Sequence, residues 1–146
     1  MFGRMKNDGP PPMGLAHTLE EITRRYKRRE AIRFEGKVTT YQELEEQANR
    51  VASGLASLGI GKGDRVAMML PNIPEFAYAF FGIQKLGAVA VPFNTMYKGR
   101  EISFILKDSD ARAIICLTNF ANLINEIRQE CPSLEHVIVT GQRTLV

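Results

Sequence analysis

Glycine-rich turns that open a helix can cradle phosphate through their backbone N–H groups. The chain has one candidate, Gly59-Ile60-Gly61-Lys62-Gly63, but it follows a helical pattern and precedes an apolar strand pattern. A dinucleotide loop runs the other way, from strand to helix, so this run is expected to be a turn. Neither GxGxxG nor GxxxxGK[ST] occurs. Metal chemistry needs three or four converging N, O or S donors. His17 and His136 are far apart and each stands alone, which also removes the base that a nucleophilic triad requires. His17 is expected on a helix flank and His136 at a strand edge. Glu43, Glu45 and Glu46 fall on the polar face of a helical pattern and are expected to be solvated. No catalytic, cofactor-binding or metal-ligating residue is assigned on these grounds.

Two segments are better placed for binding: Leu70-Pro71-Asn72-Ile73-Pro74-Glu75 and Pro92-Phe93-Asn94-Thr95-Met96-Tyr97-Lys98-Gly99-Arg100-Glu101. Each follows an apolar strand pattern, and in an open α/β sheet ligands sit beyond the strand C-termini. The plainer expectation for their polar residues is capping. Asn72 is then the N-cap of one helix, with Glu75 three residues on, and Asn94 with Thr95 starts the next. Lys98 and Arg100 are either phosphate contacts or solvated residues of a helix start.

The elements that position these loops follow from periodicity. Thr18 with Glu21, and Leu19, Ile22 and Tyr26 behind them, predict a helix over about 18–29 opened by a capping box. Residues 31–34 and 37–39 around Glu35-Gly36 predict a hairpin. Thr40 with Glu43 is a second capping box. Tyr41, Leu44, Ala48, Val51, Leu55 and Leu58 then give the clearest helix, ended by Gly59. Strands are expected at 66–70, 88–93, 112–117 and 136–140, and helices at about 73–86, 98–108 and 119–130. The helix at 73–86 is apolar nearly all round and should be buried on several sides. Apolar strands alternating with helices predict an α/β architecture: an open, largely parallel sheet with helices on both faces, preceded by a helix and a β-hairpin.

A chain of 146 residues with 45% hydrophobic and 24% charged residues can bury a core of its own. The net charge of +3 lies wholly in residues 1–30, which hold seven basic and four acidic groups, and the remaining 116 residues are balanced. That argues against a general nucleic-acid surface. One cluster, Arg24-Arg25-Tyr26-Lys27-Arg28-Arg29, suits phosphate, anionic lipid or an acidic partner, or simply a solvated helix C-terminus. Cys116 in an apolar run and Cys131 before Pro132 are expected as core and helix-end thiols of a reduced, cytosolic chain. Residues 1–14, with Pro10-Pro11-Pro12, are expected to be a flexible tail without a secretory apolar stretch. The most apolar segment, 76–93, is interrupted by Lys85 and Pro92, so no transmembrane helix is expected.

Three blocks carry a resemblance: Thr40-Tyr41-Gln42-Glu43-Leu44 with Asn49-Arg50-Val51-Ala52, then residues 58–67 (LGIGKGDRVA), then 70–94 (LPNIPEFAYAFFGIQKLGAVAVPFN). Over residues 17–141 the chain resembles the N-terminal part of AMP-forming acyl-CoA synthetases, in the adenylate-forming superfamily. Residues 98–111 (KGREISFILKDSDA) are most similar to the long-chain fatty-acid–CoA ligase branch. The resemblance implies an enzyme that joins a fatty acid to ATP, giving acyl-AMP, and then to coenzyme A, with Mg²⁺ balancing the phosphates. It implies that residues 15–146 are an incomplete N-terminal part of the large adenylation domain. The family's Ser/Thr/Gly phosphate loop, nucleotide contacts, hinge and adenylation lysine have no counterpart here. The isolated chain is therefore expected to be inactive, and its end at Thr144-Leu145-Val146 looks like a truncation. A cytoplasmic location is expected, with possible peripheral contact to a membrane and a possible homodimer. The alternative is a stand-alone interaction module that retains half of the adenylation fold.

Overall fold

Four short parallel strands form the centre of the molecule, and the residues between them decide which face each helix covers. The computed structural model describes residues 14–141. The expected tail, apart from Gly14, lies outside the described residues, as does the segment 144–146. The element order is α1 (Leu15–Tyr26), β1 (Glu30–Phe34), β2 (Lys37–Thr40), α2 (Tyr41–Ser57), β3 (Arg65–Met69), α3 (Pro74–Lys85), β4 (Val89–Pro92), α4 (Gly99–Asp108), β5 (Ala113–Leu117), α5 (Ala121–Ile127) and β6 (His136–Thr140). Strands β3–β6 make one parallel sheet in the order β4-β3-β5-β6. The doubly wound α/β expectation therefore holds.

Strand alternation sends successive side chains to opposite faces. Val66, Met68, Leu70, Ala113 and Ile115 pack with Leu55, Ala79 and Ile83 on the α2/α3 side. Ala67, Met69, Ile114 and Cys116 pack with Ile102, Leu106 and Ile124 on the α4/α5 side. A strand covered on both faces needs no polar alternation, which is why β5, and β3 after Arg65, are apolar. The strand expected at 88–93 is shorter than its apolar run. It occupies a sheet edge, and Val89 is 46% exposed.

The hairpin forms as expected. Glu35 (φ 47°) and Gly36 (φ 78°) both take positive φ, the backbone of the primed turn that matches strand twist. The Thr40 box also forms: the Glu43 N–H donates to Thr40 Oγ1 (3.3 Å), and the Thr40 N–H donates to Glu43 Oε2 (2.8 Å). The Thr18 box does not. The first helix begins at Leu15 and ends at Tyr26, and inside it the Thr18 hydroxyl donates to the Gly14 carbonyl (3.2 Å). Glu21 pairs with Arg24 instead (2.7 Å). The helix expected over 119–130 is α-helical only over Ala121–Ile127, with a 3₁₀ turn at each end.

The closest packing joins α2 to α3. A Cβ at Gly82 would lie 2.6 Å from Val51 Cβ and Cγ1 and 2.9 Å from the Ala48 carbonyl. The absent side chain lets the two backbones approach. Leu19, Leu44 and Ala48 then tie α1 and α2 to the half-buried Ala77, Tyr78 and Phe81 of α3. At the end of α3, the Lys85 side chain is only 8% exposed and reaches two acids from different helices. Its Nζ donates to Glu20 Oε1 (2.9 Å) and Glu45 Oε1 (3.5 Å). Glu45 is thus an ion-pair partner rather than a merely solvated residue.

Gly82→Ala forces these helices apart and is expected to cost about 2 kcal/mol. Gly54→Ala meets nothing within 4 Å and should stabilise by about 0.5 kcal/mol through helix propensity. Urea unfolding of both variants checks the pair. Lys85→Met keeps the apolar stem but strands both carboxylates, with an expected loss of about 1 kcal/mol at neutral pH in the same assay.

Candidate functional site

The ligand edge of an open parallel sheet lies beyond its strand C-termini, at the point where successive connections leave toward opposite faces. Here α3 follows β3 onto one face and α5 follows β5 onto the other, so that point lies between Leu70 and Leu117. The structure brings both sequence-selected loops to this edge. Leu70, Pro71 and Asn72 from the first, with Pro92, Phe93, Asn94, Thr95 and Met96 from the second and Phe76 of α3, line one cleft of about 440 Å³.

Their detailed roles differ from expectation. The N-cap of α3 is Ile73, with Pro74 in the first turn, and no side chain caps it. Proline at that position has no N–H to satisfy, so the need for an Asn72 cap is reduced. Asn72 is exposed at the cleft. Asn94 does not start α4. Its Oδ1 accepts from the Met96 N–H (2.8 Å) and its carbonyl from the Tyr97 N–H (3.3 Å), which makes a turn. Helix α4 begins five residues later at Gly99, where the Lys98 N–H donates to Glu101 Oε2 (3.0 Å). Lys98 and Arg100 do not line this cleft.

A second, smaller crevice of about 200 Å³ lies at the switch point itself. Its walls are Phe34 and Glu35 of the hairpin, Pro71, Ile73 and Glu75 of the first loop, and Leu117, Thr140 and Gly141. Sequence reasoning did not find it, because the hairpin turn arrives from about 35 residues upstream and no local signal says where it will rest. Neither cavity is lined by Lys, Arg or His. Amides, a hydroxyl and carboxylates can orient a hydroxyl- or amide-bearing group, but they supply no cation for a phosphate. The cleft has no carboxylate, so its residues do not fit a Mg²⁺ ion. Among the described residues no group of three or more His, Cys, Asp or Glu converges for a metal.

The opposite edge of the sheet carries a polar network that the sequence also did not reveal. Arg112 sits at the entry to β5. Its guanidinium donates to Asp64 Oδ2 (2.8 Å), to the Gly59 carbonyl (3.0 Å) and to both oxygens of Glu135 (3.1 and 2.8 Å). Its backbone N–H donates to the Arg65 carbonyl (2.9 Å), and its carbonyl accepts from the Glu135 and His136 N–H groups. One residue thus ties the entries of β3, β5 and β6 to the end of α2. The glycine run belongs here: Gly59 and Gly63 take positive φ, and the Gly61 N–H donates to Asp64 Oδ2 (2.8 Å). His136 lies at the outer strand, its Nε2 3.0 Å from the Leu58 carbonyl. His17 is exposed on α1.

The charges of this network are mutually stabilised. The Gly61 N–H, and then Arg112, hold the Asp64 carboxyl below its ordinary range. Arg112 does the same for Glu135, and Glu135 followed by Asp64 raises the guanidinium. Cys116 and Cys131 are free and buried. Burial pushes the Cys116 thiol up to about 11 and raises that of Cys131, so neither is a ready nucleophile. The Arg24–Arg29 segment is exposed around the end of α1; Arg24 pairs with Glu21, and Arg29 lies over the Tyr26 ring at 4.9 Å. No helix among the described residues is long and apolar enough to cross a membrane.

An open parallel layer with two loop clefts at its ligand edge defines a scaffold of α/β type, and comparison identifies which one. The family model described as AMP-binding enzyme matches residues 19–145, and the chain belongs to that family. It is 39% identical over 127 residues to the long-chain-fatty-acid–CoA ligase of Salmonella typhimurium (strain LT2), covering 86% of this chain and 22% of that protein. It is 48% identical over 91 residues to the long-chain-fatty-acid–CoA ligase FadD13 of Mycobacterium tuberculosis (strain CDC 1551), covering 62% and 18%. The structure superposes on the inhibitor-bound N-terminal domain of Mycobacterium tuberculosis FACL13 with a TM-score of 0.82 and 36% identity, over 92% of this chain and 34% of that one. The chain therefore spans about a fifth of the length of the curated relatives it matches.

Arg112→Lys loses the two-pronged grip on Glu135 and is expected to lower the melting temperature at neutral pH. Both partner acids have depressed folded-state values. Their contribution is thus present above the unfolded values of about 3.9 and 4.3 and is lost as pH falls through the folded ones. The gap between variant and parent should therefore close below about pH 4, as followed by thermal melts across pH.

Proposed function

We propose that this chain is the N-terminal scaffold of a fatty-acid–CoA ligase. Residues 15–146 would form the first part of its adenylation domain. The observation that carries this reading is the family match across residues 19–145, joined to relatives named as long-chain-fatty-acid–CoA ligases. These relatives do not favour the alternative of a stand-alone interaction module.

In the reaction proposed for the whole enzyme, a fatty-acid carboxylate oxygen attacks the α-phosphorus of ATP, and the bond to pyrophosphate breaks. Acyl-AMP results. The coenzyme A thiolate then attacks the acyl carbon and AMP leaves. Mg²⁺ would offset phosphate charge when bound, and the cleft between the two loops has no carboxylate to hold it. The part of this chain is positional: the β3 and β4 termini fix the floor on which the loops 70–75 and 92–101 stand, and rigid placement of reacting groups is a large share of such catalysis. No residue of this chain is proposed as catalytic. A cytoplasmic setting, with peripheral contact to a membrane, goes with the same reading; two buried free thiols and an exposed cationic segment at 24–29 support it.

Fatty-acid-dependent ATP–pyrophosphate exchange tests the reading. The isolated chain is expected to give none above a heat-killed control. A chimera that carries residues 19–141 in place of the matched segment of the Salmonella ligase is expected to regain exchange and to form acyl-CoA. Exchange by the isolated chain, or an inert but well-folded chimera, would overturn the assignment.

A further inference from the structure

The helices α4 and α5 enclose a groove of about 560 Å³ on their solvent side. From α4 it is lined by Arg100, Ser103, Phe104 and Lys107, and from the α5 side by Leu123, Glu126, Ile127 and Glu130. Both sets recur at spacings of three and four, so each is one face of a helical stretch. The two helices lie side by side and point the same way. Gly99, at the start of α4, packs against Leu123 and Ile127, and an added Cβ would lie 3.3 Å from Ile127 Cγ2. One turn on, the Ser103 hydroxyl donates to Glu130 Oε2 (3.1 Å). Phe104 is 66% exposed on the rim, and Tyr97, 43% exposed, extends the apolar strip past it. The ion pairs among the described residues include none of Arg100, Lys107, Glu126 and Glu130.

An exposed aromatic ring between two cations, beside two acids on the neighbouring helix, is one half of a self-complementary contact. We propose that this face pairs two copies of the chain about a two-fold axis running along the groove. Such an axis lays each α4 over its partner's α5. Arg100 then stands level with the partner's Glu126 and Lys107 with the partner's Glu130, and each pairing occurs twice. Phe104 enters the partner's groove against the partner's Leu123 and the partner's Ile127. The balance of charge selects this occupant. Two cations and two acids in one groove offer an anionic lipid surface or a nucleic acid as much repulsion as attraction. A second copy meets every one of the four with its opposite. The proposal stands apart from the ligase reading.

Sedimentation equilibrium of the chain and of charge-reversed variants tests the proposal. At about 100 μM the chain is expected to form a reversible dimer, the affinity of a small patch lying in the micromolar range. Arg100→Glu with Lys107→Glu makes all four groove charges acidic, and Glu126→Lys with Glu130→Lys makes all four basic. Each double variant should weaken self-association at least about tenfold. An equimolar mixture of the two should regain a dimer mass, because every charge again meets its opposite. Adding Phe104→Ala to both should weaken that mixed dimer at least about tenfold, which general attraction between an acidic and a basic chain would not do. All five positions are exposed, so the variants should fold, and thermal melts check that they do. A parent chain that stays monomeric, a dimer that both double variants leave intact, or a mixture that stays monomeric would overturn the proposal. So would a Salmonella chimera whose soluble yield collapses with either double variant while its mass is unchanged, since the rest of the enzyme would then cover this face. Phosphatidylglycerol vesicles that carry the monomeric parent but not Phe104→Ala would assign the face to lipid and also overturn it.

Discussion

The contact between α2 and α3 at Gly82 is the constraint on which most of the molecule rests. With no room for a single added carbon beside Val51 and Ala48, the helices lock at close range and together roof one face of the sheet. The faces they turn away from the sheet carry the rest of the N-terminal structure. Leu19 of α1 and Ile32 of the hairpin pack where α2 and α3 meet, and Lys85 gathers an acid from each of two helices at the same junction. A wider crossing would loosen the sheet cover, the N-terminal helix and the hairpin together.

The two ends of the sheet are built from opposite materials. At the strand entries, charge and backbone carbonyls converge on Arg112, which fixes the relative heights of β3, β5 and β6. At the strand exits there is no such clamp. Proline, asparagine and aromatic residues form turns that leave clefts open. An ordered floor with permissive loops above it is the usual division in α/β enzymes. Here the clefts offer dipoles and carboxylates without cations, which suits a supporting wall of a nucleotide-using enzyme better than its phosphate-binding centre.

Elements whose signals are local were legible before folding. The Thr40 box, the 3-4 spacing from Tyr41 to Leu58, the Glu35-Gly36 turn and the apolar runs of β3 and β5 each state their conformation within a few residues. Errors fell where several local solutions compete. Thr18 and Glu21 fit a cap but lie inside α1, which starts at Leu15 with Gly14 as its N-cap. Asn72 resembles a cap, yet Pro74 makes one less necessary. Asn94 satisfies its own turn. For the candidate site, the sequence placed both loops on the correct edge but not the hairpin turn that walls the crevice beside them.

By itself, then, the sequence determined the class of fold, the order of its elements, the strands that are covered on both faces and the family to which they belong. All of these depend on periodicity and on residues close in the chain. Tertiary structure alone decided which strands are edges, that Lys85 would find Glu20 and Glu45, and that Arg112 would join Asp64 to Glu135 across 48 and 23 residues of chain. Those outcomes depend on long-range closure. A charge buried by packing must find its partner wherever the fold brings one, and no spacing in the sequence encodes that meeting.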